Sequence, residues 1–97
     1  MLFNFNEDCA TWQNDKEFNK IFVDHTINYL NTKLSAVGWL SVNDLNDSFG
    51  KDRRLKDQVF GWKLADGLGI IEYEFVDVND FGSNNVIVNL KNVVKLM

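Results

Sequence analysis

The groups able to do chemistry are few. His25 is the single histidine and Cys9 the single cysteine. A nucleophilic pair needs its base aimed at the thiol or hydroxyl. Nothing in the spacing brings Cys9, on an upstream segment, to His25, so His25 reads as a packed or partly exposed helix residue. One His and one Cys cannot complete a structural zinc site. Asp77-Val78-Asn79-Asp80-Phe81-Gly82 has the flavour of a calcium loop. Phe81, however, stands where the fifth position wants Asp or Asn, and Val88 where the twelfth wants Glu, so a polar hairpin turn is expected. Gly67-Leu68-Gly69 lacks the further glycine and the following helix of a phosphate cradle. Glu72 and Glu74 are two apart on a strand pattern and share a solvent face, with no pocket chemistry around them for acid–base work. The expectation is no catalytic residue, no metal, no cofactor and no enzyme.

Two features remain that suit recognition. Lys51-Asp52-Arg53-Arg54-Leu55-Lys56-Asp57 gathers Lys51, Arg53, Arg54 and Lys56 in a chain of net charge −4. It is a solvated loop or a basic patch for phosphates or an acidic partner. The second feature is the segment from about Asp15 to Val37, which has helical periodicity. Asn14 or Asp15 can cap its start, Glu17 suits the dipole in the first turn, and Gly38 stands where a helix ends. At roughly 100° per residue, Phe18, Ile21, Phe22, His25 and Tyr29 form one apolar stripe, and Val23, Ile27, Leu30, Leu34 and Val37 a second. A surface helix needs one. Either both are covered within the chain, by a sheet and the N-terminal arm, or one serves the core and the other a partner.

The elements around that helix follow from local chemistry. Residues 1–14 carry Phe3, Phe5 and Trp12 and read as a docked arm, with a strand at Leu2–Phe5. Trp39 to Val42 is a short extended link. Ser41 or Asn43 can cap a short helix through Leu45 to Phe49, closed by Gly50. Val59 to Leu64, Ile70 to Val78 and Val86 to Leu90 are strands. Turn chemistry separates the first two at Asp66-Gly67 and the last two at 79–85. Val93, Val94 and Leu96 extend the last strand or close the chain. Trp39, Phe60 and Trp62 read as core anchors, one of them able to line an interface. The fold class expected is α+β: one long and one short N-terminal helix followed by a roughly three-stranded antiparallel meander in a single domain over 1–97.

Composition agrees. Hydrophobic residues make up 45%, aromatic 13% and charged 25% of 97 residues, a globular and not a disordered profile. A chain of this length buries roughly 60–70% of its unfolded surface. The lone thiol argues for a reducing, cytoplasmic setting. The N-terminus lacks a signal-peptide pattern, and no run of about 18 apolar residues suggests a membrane span. The acidic balance disfavours nucleic acid as a partner.

Tyr29-Leu30-Asn31, Leu34, Gly38-Trp39, Leu40-Ser41-Val42-Asn43-Asp44, Phe49-Gly50 and Gly61-Trp62 form a pattern over the middle of the chain. It resembles short proteins of no assigned activity from phages and low-GC Gram-positive bacteria. The AT-rich codons of the abundant Asn, Lys, Ile and Phe point the same way. The resemblance implies a phage or mobile-element setting and carries over no functional residue.

The function expected is a protein–protein interaction module without catalysis, virion-associated or an anti-defence inhibitor, and a homodimer is compatible with the double stripe. Its candidate contact residues are Phe18, Phe22, Tyr29, Trp39, Lys51, Arg53, Arg54 and Lys56. The alternative is a winged-helix nucleic-acid-binding regulator, in which helix, short strand, helix, basic segment and hairpin follow in order.

Overall fold

The computed structural model describes residues 1–64, 70–76 and 83–97. The Asp66-Gly67 turn, the Gly67-Leu68-Gly69 run, the whole of 77–82 and so most of the 79–85 turn region therefore lie outside the described residues. The fold is α+β, with one long helix, one short helix and antiparallel strands following them. The N-terminal arm is a strand, β1 (Leu2–Phe5). It is followed by α1 (Lys16–Val37), β2 (Trp39–Ser41), α2 (Val42–Phe49), a 3₁₀ turn (Leu55–Gln58), β3 (Phe60–Lys63), β4 (Glu72–Val76), β5 (Val86–Lys91) and β6 (Val94–Lys95).

Both helices start and stop where short-range chemistry dictates. The Asp15 carboxylate accepts from the Phe18 N–H at 3.1 Å, satisfying a donor that the first turn leaves free. Ser41 and Asp44 form a reciprocal cap on α2. The Asp44 N–H donates to Ser41 Oγ at 3.3 Å and the Ser41 N–H to Asp44 Oδ2 at 2.8 Å, the geometry of a capping box. Gly50 ends α2 at φ 71°. A side chain there would be strained and would also meet Ala10 of the arm.

The strands divide between two sheets, ordered β1-β5-β4 and β2-β3-β6, so the strands of the expected meander do not all pair with one another. β4 and β5 pair antiparallel, with Phe75 opposite Val88 and Glu74 opposite Asn89. β3 instead lies against β2, Gly61 opposite Ser41 and Trp62 opposite Leu40. The reason is Gly61. A Cβ at this position would run into the Leu40 carbonyl oxygen and the Ser41 backbone, so only glycine lets β3 approach that closely. Trp62 then joins the two sheets, because its buried Nε1–H donates to the Lys91 carbonyl at 3.0 Å.

The core takes the inward face of each element: Phe3 and Phe5 of β1, Val86, Val88 and Leu90 of β5, Leu45 and Phe49 of α2, and the Val23–Leu34 stripe of α1. Phe5, Phe22 and Phe49 pack as an aromatic cluster with centroids 5.1–5.8 Å apart. Glu72 and Glu74 face solvent as expected.

Replacing Gly61 by Ala is expected to lower stability by about 3 kcal/mol, since neighbouring backbone must move to admit one methyl group. Urea denaturation measures this directly. An unchanged midpoint would contradict the close β2–β3 approach.

Candidate interaction surface

The two stripes of α1 meet different fates. Val23, Ile27, Leu30 and Leu34 are buried. Ile21 is 54% and Tyr29 62% exposed, Phe18 is exposed and so is His25. The stripes lie roughly 150° apart on the helix, so the exposed one is close to opposite the core. Solvent faces of helices normally carry charges there. Phe22 belongs to both worlds. It is half-buried, stacks on Phe5 at 5.7 Å and also meets Phe18 at 6.2 Å. An aromatic chain thus runs from the core to the outer face. Beside it, His25, Thr26 and Tyr29 line a hollow of about 340 Å³ with Ser48 of α2.

Two half-buried contacts tie the helix to β4 and the residue before it. The Tyr73 hydroxyl of β4 donates to Asp24 Oδ1 at 2.5 Å. Burial, and then the bond to the Asp24 carboxylate, push the Tyr73 hydroxyl up to about 12. Asn31 meets the backbone of Ile71 on both sides, its Oδ1 accepting at 2.7 Å and its Nδ2 donating at 3.3 Å.

Trp39 does not join Phe18, Phe22 and Tyr29. It is 51% exposed at the far end of α1, where with Gly38, Gln58, Lys63, Leu96 and Met97 it lines a hollow of about 460 Å³. Its expected role as a core anchor therefore fails, and Phe60 is exposed as well. Both lie in sheet β2-β3-β6, where Trp62 alone of the three rings points inward, on the strand face that buries the Leu40 partner.

The basic segment also divides. Lys51 Nζ sits 4.9 Å over the Phe3 ring, an arrangement the ring quadrupole favours. Arg53 pairs with Asp47 at 3.2 Å and donates to Gln58 Oε1 at 3.0 Å. Arg54 and Lys56 are exposed and line a third hollow with Met1, Leu2, Asp57, Phe60 and Val93. Asp57, expected to be exposed, is buried because Asn46 Nδ2 donates to its carboxylate at 3.0 Å. Ile21 and Leu55 are exposed apolar residues absent from the expected contact set; Ile21 was legible from its place in the stripe.

Cys9 is buried, and burial pushes its thiol up, away from the reactive thiolate. Among the described residues no three His, Cys, Asp or Glu side chains gather as a metal site, and no helix is long and apolar enough to cross a membrane. Comparison with protein-family models, with curated proteins and with solved structures returns no match.

Two outcomes follow. Ile27→Ala is expected to cost about 3 kcal/mol and Ile21→Ala less than about 0.5 kcal/mol in chemical denaturation; equal losses would place both stripes in the core. The stability that wild type holds over Tyr73→Phe is expected to be full below pH 10. It should shrink as pH rises from 10 toward 12, because the unfolded chain releases the Tyr73 proton first. A gap that stays constant through that range would refute the half-buried Tyr73–Asp24 bond.

Proposed function

We propose that this chain is a protein-interaction module that works by covering a partner's surface, without catalysis. The observation that carries the proposal is the apolar outer face of α1. Phe18, Ile21 and Tyr29 stand exposed on the side of the helix turned away from the core, backed by Phe22 on a rigid aromatic cluster. Exposed aromatic anchors on a preorganised element are what interface hot spots are made of. The resemblance to short phage and low-GC bacterial proteins suggests a phage or mobile-element accessory protein, virion-associated or an inhibitor of host defence, acting in the host cytoplasm. A second copy of the chain is one partner compatible with this face.

A winged-helix nucleic-acid regulator has weaker support. α2 carries Asp44 and Asp47 and no Lys or Arg, and Arg53 is paired with Asp47. A recognition helix would present cations to phosphates.

The test is affinity capture from cells of the organism that encodes the chain, with wild type beside an Ile21→Glu/Tyr29→Glu variant. A specific partner held by wild type and lost by the variant, at unchanged circular dichroism, is the expected result. Identical captured sets would remove the α1 face from the function. Sedimentation of the purified chain shows whether the partner is a second copy.

A further inference from the structure

We propose that the turn Arg54-Leu55-Lys56, with the groove behind it, is a second docking surface, and that its occupant is an acidic polypeptide segment carrying an apolar anchor. Leu55 is 95% exposed. It opens the 3₁₀ turn and is flanked in sequence by Arg54 and Lys56, both exposed. Neither cation forms an ion pair among the described residues, whereas Arg53 and Lys91 do. Behind the turn lies a groove of about 450 Å³ that Arg54 and Lys56 line together with the apolar Met1, Leu2, Phe60 and Val93. The one carboxylate there, Asp57, already accepts from buried Asn46.

Charge chooses the occupant. The chain as a whole is acidic, at −4, so its field disfavours an acidic partner except where cations concentrate. The Arg54–Lys56 rim is such a place, and rim charges of this kind set orientation and association rate. The apolar centre decides against a nucleic acid. Phosphates would satisfy Arg54 and Lys56 but leave Leu55 and the groove floor in water.

The turn is also held ready. The Arg54 N–H donates to Asn43 Oδ1 at 2.9 Å, and Asn43 Nδ2 donates to the Arg54 carbonyl at 2.9 Å. The Val59 N–H closes on the Lys56 carbonyl at 3.2 Å. A ligand therefore finds the backbone already ordered, which lowers the cost of association. This surface shares no residue with the α1 face, so either can fail alone.

The experiment is amide NMR shift mapping on the full chain. The probes are a synthetic peptide alternating Glu with Leu and Phe, its Lys-for-Glu copy, polyglutamate, and a DNA duplex. The expected result is that the Glu/Leu/Phe peptide shifts resonances of residues 54–60 and of Leu2. Arg54→Glu/Lys56→Glu should weaken it roughly tenfold and flatten its salt dependence. Leu55→Ala should weaken it while leaving the salt dependence in place. If the double charge reversal changes the circular dichroism, Arg54→Gln/Lys56→Gln is read instead. No shift with the Glu/Leu/Phe peptide would overturn the proposal, as would equal binding of the Lys copy or of polyglutamate. So would tighter binding of the duplex at the same residues, or shifts confined to α1.

Discussion

Asn43 sits buried beneath the 51–58 segment and closes both backbone groups of Arg54, while its own Oδ1 also accepts from Asn46 at 3.2 Å. Asn46 in turn holds Asp57. The same device recurs elsewhere. Asn19 ties Gln13 of the arm to Asn84 before β5, donating to their carbonyls at 2.7 and 2.9 Å, and Asn31 does for Ile71 what a neighbouring strand would do. Buried backbone polar groups must find partners. In a chain whose strands are short and split between two sheets, side-chain amides supply many of those partners. An amide carries both donor and acceptor, so one side chain can close both backbone groups of a facing residue. Removing such a group would leave part-buried backbone groups unpaired, and in the buried Asn43–Asn46–Asp57 set the loss is largest.

This constraint explains which parts of the fold were legible. α1 was readable to its ends, because the Asp15 cap, the periodicity and Gly38 are all local signals. β4 and β5 were readable from alternation alone. The pairing of β3 with β2 rather than with β4 was not, since only the demand for glycine at position 61 marks it, and a lone glycine in a strand pattern has several meanings. The asparagines were the largest loss. Their abundance suits AT-rich codons, and at positions 19, 31, 43 and 46 the side chains also hold distant segments in place. No periodicity announces an amide whose partner lies 11 or 40 residues away.

The candidate surfaces divide along the same line. Two stripes on α1 are visible to anyone counting by helical angle, but which of them is covered is a tertiary fact. That Lys51 rests on Phe3 and Arg53 on Asp47 is equally tertiary. The sequence shows four neighbouring cations, and the fold engages two of them and leaves Arg54 and Lys56 outside. Trp39 and Phe60 look like core residues by type, yet they are exposed on the smaller sheet, which is too short to cover its own large rings.

The placement of the α1 stripe has an evolutionary consequence. Substitutions at Ile21 and Tyr29 touch little of the core, and Phe18 meets it only through Phe22. These positions can therefore change at small cost to the fold. Phe22 is the exception. Its ring stacks on Phe5 and meets Phe49 edge-on, so a change that suited a new partner would also disturb the core. If the α1 face serves the proposed partner, Phe22 should vary less among related chains than Phe18, Ile21 and Tyr29, because its ring also packs against Phe5 and Phe49.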